Sequence, residues 1–199
     1  MTETTHRLRL LLHQALRHNR KMSVEKLINE TISSGGKCSY REYRAIWDDI
    51  RKQRKPVNFL VFGTGFDTPL WETCNHKGNT VFIENNPKWV DFGKKKGHNV
   101  VQVAYKSSGL DKKKIYGTAD LLMDFGKEVE DTNWTHIFVD GPVGRTQSRM
   151  KSIFNAARLA GPETKIFVHD YNRPNEKLYV DYFLKLEEVI HRLAVCRSM

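Results

Sequence analysis

Three ionisable side chains directly follow apolar runs that have the composition of buried strands. Asp140 comes after the run that ends at Val139, and His169 and Asp170 come after the run that ends at Val168. Because ligands bind at the carboxyl ends of the strands in an open α/β sheet, we expect these three catalytic candidates to line one pocket. An aspartate after a strand also commonly caps the next helix, which is the structural alternative for each carboxylate.

Two kinds of chemistry are open to this group. His169 or Asp140 would act as a general base that takes a proton from a hydroxyl. Asp140 and Asp170, with Asn172 as a third oxygen ligand, would instead bind Mg²⁺ or Mn²⁺, which prefer such ligands. The basic side chains available to orient an acceptor hydroxyl or acidic group are Arg149 and Arg173.

A glycine pair follows the first strand-like run, in the sequence Phe62-Gly63-Thr64-Gly65-Phe66-Asp67. Glycines let the backbone turn tightly and come close to a ligand. Glu84 follows the second run, where an acidic side chain can accept both ribose hydroxyls of an adenosine ligand. A dinucleotide-binding motif would have a third glycine where Thr68 stands, so adenosine is favoured over NAD. The residues predicted to contact the cofactor are Gly63, Gly65, Asp67, Glu84 and Asp140.

These residues need a sheet to bring them together. Five strand-like runs are continuously apolar, as strands covered on both faces are. Helical patterns lie between several of them; Met150, Ile153, Phe154 and Ala157 form one such face, which Gly161–Pro162 should end. The sequence therefore predicts an α/β, Rossmann-like, mostly parallel doubly wound sheet with an N-terminal helical extension. The runs are Val57–Phe62, Thr80–Ile83, Val100–Val103, Ile137–Val139 and Ile166–Val168.

Residues 1–55 are predicted to form that extension, and residues 56–199 the sheet domain. Apolar residues recur at helical spacing between Leu8 and Leu16, and Ser23 is placed to cap a second helix that Gly35–Gly36 would end. Ser39-Tyr40-Arg41-Glu42 has the pattern of a capping box and starts a helix expected over residues 39–55. We expect this helix to dock on the sheet domain, with its basic end near the entrance for the acceptor.

The composition limits the class of protein. A chain of 199 residues with 39% hydrophobic residues is long enough to bury a core, and no apolar run approaches a membrane span. A signal-peptide pattern is missing and the three cysteines are scattered, so we expect a soluble protein, in the cytoplasm, with reduced thiols. The net charge of +10 is concentrated in residues 1–55, which would suit RNA, an acidic glycan or a solvated surface.

Read together, these segments resemble the glucuronoxylan 4-O-methyltransferase family. The likeness covers about residues 56 to 195, and the order of VDGPVG, RM and VHD is its most specific part. The segments that carry it are Asn58–Asp67 (NFLVFGTGFD), Asn75–Glu84 (NHKGNTVFIE), Val139–Gly144 (VDGPVG), Arg149–Ala157 (RMKSIFNAA) and Ile166–Glu176 (IFVHDYNRPNE).

The resemblance implies a class I methyltransferase fold, S-adenosylmethionine as methyl donor and a sugar hydroxyl of a glycan as acceptor. It places Gly63 and Gly65 near the methionine part of the donor, Glu84 at the ribose, and the catalytic candidates at the acceptor. This chain has Phe66, Asn85 and Asn172 where the family commonly has a histidine and two acidic residues. Because these changes concern the acceptor, glucuronic acid is not carried over as the substrate.

Two rival functions stay open. The basic N-terminus suggests an RNA methyltransferase, although Asp140-Gly141-Pro142 stands where base N-methylation often places Asn-Pro-Pro-Tyr. A non-catalytic module that binds adenosine or NAD is the alternative from another class. The family's plant members also carry a membrane anchor, and no apolar run in this sequence has the length of one, so we expect a soluble relative or a domain of a larger glycan-assembly protein.

Overall fold

The computed structural model describes residues 23–105, 116–142 and 148–199. Seven strands and eight helices occur in these ranges. The strands are β1 (Asn58–Phe62), β2 (Asn79–Glu84), β3 (Val100–Gln102), β4 (Trp134–Val139), β5 (Ala160–Val168), β6 (Leu184–Ile190) and β7 (Leu193–Ser198). The helices are α1 (Val24–Ser33), α2 (Tyr40–Arg51), α3 (Thr68–Cys74), α4 (Pro87–Lys95), α5 (Thr118–Leu121), α6 (Lys127–Glu130), α7 (Ser148–Leu159) and α8 (Pro174–Phe183).

The strands form one sheet in the order β3-β2-β1-β4-β5-β7-β6. β1 to β5 pair in parallel, whereas β7 is antiparallel to both β5 and β6. The order reverses between β1 and β4, and such a switch point opens a crevice at the carboxyl ends of the strands. The predicted doubly wound α/β sheet is confirmed.

Helices cover both faces of the sheet, which explains why the strands are apolar throughout. Alternate residues of β1 point to opposite faces: Leu60 packs in one hydrophobic core with α7 and α8, and Phe59 packs in the other with α1 to α4. Trp71 of α3 lies at the centre of the second core and contacts Phe59 and Phe138 edge-on. Neither face of β1 is left for solvent.

The two described helices of the extension begin as their sequences predict, but α2 ends at Arg51 and not at residue 55. Ser23 caps α1 by accepting a hydrogen bond from the amide of Lys26. Ser39 and Glu42 form the complete capping box at the start of α2. The helix predicted between Leu8 and Leu16 lies outside the described residues.

Both helices pack on the sheet through buried apolar side chains, which include Ile28 of α1 and Ile46 of α2. The division of the chain into an extension and a sheet domain at residue 56 stays a prediction. None of the described helices has the length and apolar character needed to cross a bilayer.

Two features at the carboxyl-terminal end of the chain differ from the sequence analysis. α7 ends at Leu159 and β5 starts at once, so Gly161 and Pro162 lie within a strand that is longer than predicted. The hairpin of β6 and β7 was not predicted at all. Its outer strand β6 is largely exposed and carries charged residues, as edge strands that avoid aggregation do, and it therefore lacks the apolar signature used for the other strands.

Candidate active site: a cleft at the carboxyl edge and the charges behind it

A cleft of about 270 Å³ opens at the carboxyl ends of β1, β2 and β4. We call it the carboxyl-edge cleft. All five residues predicted to contact a cofactor line it, together with residues of the connection between α1 and α2. Its chemically distinctive lining residues are Gly36, Lys37, Gly63, Thr64, Gly65, Asp67, Glu84, Trp89, Asp140 and Gly141.

The first glycine of the pair is required by the fold itself. Gly63 has a φ of 111°, in the region that side chains disfavour, and a Cβ built on it would lie 3.1 Å from Cα of Gly141. A Cβ on Gly141 would lie 2.7 Å from Cα of Gly63. These two glycines let the ends of β1 and β4 touch by backbone alone. Gly65 is different, because a Cβ there would meet only Asp67 Oδ1, at 3.3 Å.

Glu84 joins the ends of β1 and β2 through hydrogen bonds. Its Oε2 accepts from the amide of Thr64 at 2.9 Å and from the Thr64 hydroxyl at 2.7 Å. Its Oε1 accepts from the amides of Asn85 and Asn86 at 2.8 Å each. The carboxylate thus shapes the glycine loop while still lining the cleft. A ribose hydroxyl would reach Oε2 only by replacing the Thr64 hydroxyl, which can rotate away.

Asp67 and Asp140 place two carboxyl groups in the same cleft. Burial, together with the nearby charge of Asp140, raises the pKa of Asp67 to about 7. A carboxyl group that is partly protonated at neutral pH can donate as well as accept a hydrogen bond. The cleft therefore has one carboxylate, Asp140, that is hydrogen-bonded to basic groups, and a second, Asp67, that is poorly compensated.

His169 does not line the cleft but lies behind Asp140. Its side chain is 1% exposed, and Nδ1 lies 2.8 Å from Oδ1 of Asp140. On the opposite side of the ring, Nε2 lies 3.7 Å from Oε2 of Glu42, which comes from α2. The structure thus brings Asp140 and His169 together, with only Asp140 facing the cleft.

Asp170 is also buried, and three arginines surround it. Its Oδ2 lies 2.8 Å from Arg149 and 2.9 Å from Arg173, and its Oδ1 lies 3.2 Å from Arg192. Although burial opposes ionisation, the hydrogen bond from Arg149 and the charges of His169 and the arginines keep the pKa of Asp170 below its usual range. The residues that we call the buried charge cluster are Glu42, Asp140, Arg149, His169, Asp170 and Arg192.

Arg149 and Arg173 differ from the expectation that both would be free to orient an acceptor. The side chain of Arg149 is 6% exposed and donates to Asp170, to the carbonyl oxygens of His169 and Asp140, and weakly to the Asp140 carboxylate. Its planar guanidinium is committed to protein atoms, so it compensates buried charge rather than meeting a ligand. Arg173 is half exposed and remains accessible while it pairs with Asp170.

The predicted cation site does not fit these contacts. The ligand atoms of Asp140, His169 and Asp170 do lie within 4.8 Å of one another. However, the Arg149 guanidinium bridges the two aspartates, and Arg173 and Arg192 also form ion pairs with Asp170. Mg²⁺ needs a nearly octahedral set of oxygen atoms, so it would have to displace these cations. Asn172 is exposed, two residues beyond Asp170.

The sequence analysis missed residues that the extension contributes to the site. Gly36 and Lys37 line the cleft from the connection between α1 and α2, which reads as an ordinary loop. Glu42 was recognised only as part of a capping box, yet it is fully buried and accepts a hydrogen bond from the amide of Arg192 at 2.8 Å. The capping-box pattern accounts for Glu42 by itself, so a single sequence gives no sign that the same side chain also contacts residues near the site.

The basic end of α2 lies at the opposite edge of the sheet from the one expected. Arg51 donates to the carbonyl of Cys74, beside the start of β1, and borders a separate pocket of about 280 Å³ with Arg54, Lys55 and Lys77. Because α2 starts at the carboxyl edge and runs along the sheet, its last turn must reach the amino edge. The expectation that these residues stand at the acceptor entrance is therefore wrong.

Comparison with known proteins identifies relatives over more than two thirds of the chain. The chain is 36% identical over 183 residues to Protein IRREGULAR XYLEM 15 of Arabidopsis thaliana, covering 76% of this chain and 57% of the relative. It is 35% identical over 162 residues to glucuronoxylan 4-O-methyltransferase 2 of the same plant, covering 68% of this chain and 56% of that protein. The chain thus spans somewhat more than half the length of these relatives.

Solved structures share the fold at low sequence identity. The MycE methyltransferase of the mycinamycin biosynthetic pathway, solved with Mg and S-adenosylhomocysteine, superposes with a TM-score of 0.55 and 14% identity, over 89% of this chain and 49% of that one. A methyltransferase-like protein from Silicibacter pomeroyi gives a TM-score of 0.53 and 16% identity, over 81% of this chain and 86% of that one. The fold is the Rossmann-like fold of class I, S-adenosylmethionine-dependent methyltransferases.

A family model described as IRX15/IRX15L/GXM matches residues 41–120 and 113–195. Relatives in the same comparison include an arabinogalactan O-methyltransferase of Arabidopsis thaliana, at 30% identity over 68% of this chain. The names of these proteins include polysaccharide O-methyltransferases, as the resemblance in the sequence implied. Since the matched ranges cover most of the chain, it belongs to the IRX15/IRX15L/GXM family.

Proposed function

We propose that the protein is an S-adenosylmethionine-dependent O-methyltransferase that acts on a sugar hydroxyl of a glycan. The observation that carries the proposal is the position of Asp140, whose carboxylate faces the same cleft as the glycine loop and Glu84. A methyl donor in that cleft and a proton acceptor beside it are the two requirements of methyl transfer to a hydroxyl.

The residues at the cleft fit the methyl donor. Gly65 carries no Cβ where the backbone borders the open part of the cleft, so a ligand can approach it closely. Glu84 would accept from the ribose after the Thr64 hydroxyl rotates, and Asp67 would accept from the amino group of the methionine part. S-adenosylmethionine would supply the activated methyl group. The protein supplies position and proton transfer.

Asp140 is the proposed proton acceptor. A sugar hydroxyl hardly ionises at neutral pH and must lose its proton as the new bond forms. His169, held 2.8 Å behind Asp140, orients the carboxylate through the hydrogen bond from Nδ1. Arg149 keeps the Asp140 main chain in place by donating to its carbonyl oxygen.

A glycan acceptor is favoured by the relatives, whose names include glucuronoxylan and arabinogalactan methyltransferases. An RNA acceptor gains no support, because the basic side chains Arg54 and Lys55 lie at the opposite edge of the sheet from the cleft. A non-catalytic role would agree with a relative named only as an irregular xylem protein. Binding and turnover assays separate these possibilities.

The role of Glu84 in binding the methyl donor is tested by calorimetry with S-adenosylmethionine and S-adenosylhomocysteine. Glu84→Gln should weaken both, since it removes a charged acceptor. Thr64→Val is the matched control: it removes the competing hydroxyl and should leave affinity equal or higher. Affinity that falls equally in both variants would mean that Glu84 only shapes the loop, and no binding of either ligand to the wild type would reject the proposal.

The catalytic role is tested by methyl transfer from labelled S-adenosylmethionine to a panel of plant cell-wall polysaccharides. Asp140→Asn should lower turnover by roughly 10²- to 10⁴-fold, the usual value of a general base. S-adenosylhomocysteine affinity should change little, because Asp140 acts on the acceptor. Glu163→Gln, at a side chain that is 97% exposed, is the control. Methyl donor binding without turnover on any acceptor would favour the non-catalytic role.

A further inference from the structure

A buried imidazole nitrogen in this protein has no hydrogen-bond partner in the described part of the chain. It is Nε2 of His169, on the side of the ring away from the cleft. The groups that it faces are the Glu42 carboxylate and the thiol of Cys38, both buried. An unpaired buried nitrogen between a carboxylate and a thiol calls for an explanation, because leaving such a group unsatisfied costs free energy.

We propose that Cys38, Glu42 and His169 bind a zinc ion. Their ligand atoms, which are Sγ, a carboxylate oxygen and a ring nitrogen, all lie within 4.8 Å of one another. Nε2 of His169 and Oε2 of Glu42 are 3.7 Å apart. Ligand atoms bonded to zinc at about 2.0–2.3 Å in a tetrahedral site are about 3.3–3.8 Å apart, so a small closing movement completes the geometry.

The ligand types favour zinc over the hard cations. Zinc accepts sulfur, nitrogen and oxygen ligands together, whereas Mg²⁺ and Mn²⁺ prefer oxygen alone. Three protein ligands leave a fourth tetrahedral position, which water fills in zinc sites with this number of ligands. This site is distinct from the aspartate pair that Arg149 bridges, since it uses the other nitrogen of His169.

The groups around the site are those that metal-binding histidines require. A histidine that binds zinc through one nitrogen normally donates the other N–H to a carboxylate, and Nδ1 of His169 lies 2.8 Å from Asp140. Glu42 keeps its own partners: Oε2 accepts the amide of Ser39, and Oε1 accepts the amide of Arg192. These bonds hold the carboxylate in place before an ion arrives.

Charge balance is consistent with a divalent ion. The ligand set contains one carboxylate, that of Glu42, and one thiol, that of Cys38, and both are buried. Zinc would replace the thiol proton, which is released to solvent, and the thiolate and carboxylate together would neutralise the ion.

Such an ion would connect the N-terminal extension to the sheet. Cys38 lies just before α2, Glu42 lies in its first turn, and His169 follows β5. The ion would be separated from the cleft by the imidazole ring, so it would act on Asp140 only by fixing His169. The proposal concerns structure and positioning, and it holds or fails independently of the methyltransferase activity.

The test is zinc binding by the full chain, prepared without a histidine tag, stripped with chelator and dialysed against zinc. We expect a single zinc ion per chain by mass spectrometry of the metal content. Substitution by Co²⁺ should give the absorption bands of a tetrahedral site with a thiolate ligand. The proposal would be overturned if the wild-type chain bound no zinc, or if its Co²⁺ spectrum lacked the thiolate band.

Variants assign the ligands. Cys38→Ser should lose the thiolate band and bind zinc more weakly by at least the roughly 10- to 100-fold seen when outer-shell partners are removed. Glu42→Gln should also weaken binding, while glutamine at this position can still complete a capping box, so the helix start is preserved. Cys196→Ser, at another buried free cysteine, is the matched control and should bind like wild type. Equal binding by Cys38→Ser and Cys196→Ser would refute the site.

Discussion

Asp49 is a buried carboxyl group and Asp67 is a partly exposed one, at opposite edges of the same sheet, and their surroundings differ. At the amino edge, Asp49 of α2 lies 3.0 Å from Nε2 of His136 and 3.4 Å from Nζ of Lys165, and it also pairs with Lys52. At the carboxyl edge, Asp67 faces the cleft next to another carboxylate. Burial alone would raise both pKa values, but the hydrogen bonds from His136 and Lys52 hold the pKa of Asp49 far below its usual range, while that of Asp67 rises to about 7.

The difference separates a structural edge from a functional one. Both carboxylate oxygens of Asp49 are used to hold α2 on β4 and β5, so this carboxylate is compensated without a ligand. At the carboxyl edge, Arg149 compensates the buried Asp170, whereas Asp67 in the cleft stays incompletely paired. Incomplete pairing costs stability and is retained where a ligand can complete it.

The largest expected effect comes from removing Arg149, the buried cation of the buried charge cluster. Arg149→Met should destabilise the protein by about 3–5 kcal/mol, because Asp170 and Glu176 lose their buried cationic partner and keep only contacts with more exposed arginines. Urea unfolding followed by circular dichroism measures this free energy.

Arg173→Met is the control for that experiment. Arg173 contacts the same two acidic side chains from a half-exposed position, and exposed ion pairs contribute about 0–1 kcal/mol. Similar losses of unfolding free energy in both variants would contradict the view that the buried charge cluster depends on the Arg149 guanidinium.

The stability contributed by Asp49 and that contributed by Asp67 should depend on pH with opposite sign, which tests the comparison of the two edges directly. The pKa of Asp49 is lowered by folding, so its stabilisation is present above the unfolded pKa of about 3.9 and is lost as the pH falls. The pKa of Asp67 is raised, so the folded protein loses stability as the pH rises from about 3.9 towards about 7. Asp49→Asn should therefore be less stable than wild type at neutral pH, and Asp67→Asn more stable.

The Asp67 difference should vanish towards about pH 3, where this carboxyl group is protonated in both the folded and the unfolded state. The Asp49 difference should shrink there, because the unfolded carboxyl group is protonated while the folded one stays ionised. Unfolding midpoints measured across this range for wild type and the two variants provide the check. An Asp67→Asn variant that loses stability on the alkaline side would show that the cleft carboxylate is fully paired, and the two edges would then be alike.

Much of the fold could be predicted from the sequence because its signals are local. Continuous apolar runs predicted β1 to β5, and the Ser39–Glu42 spacing predicted the start of α2. The convergence of Asp140 and His169 follows from strand order alone. The direction in which each side chain points does not follow from strand order. Whether His169 faces the cleft or the interior depends on Glu42 and Arg149, which come from other elements, and one sequence does not show those contacts.

The smallest expected effect concerns the basic residues that the sequence analysis placed at the acceptor entrance. Arg54 and Lys55 are exposed beside the start of β1, where no described ion pair involves them and the strand length separates them from the cleft. The double variant Arg54→Ser, Lys55→Ser should change the free energy of unfolding by no more than about 0.5 kcal/mol, the usual limit for such surface changes. Its affinity for S-adenosylhomocysteine and its Michaelis constant for a neutral glycan should equal those of wild type.

An acidic glycan gives a sharper test of the same double variant. Loss of a long-range attraction would raise the Michaelis constant at low salt only, because salt screens charges that are not in contact. A rise that persists at high salt would place these side chains in contact with the acceptor, and the amino edge would then share in function.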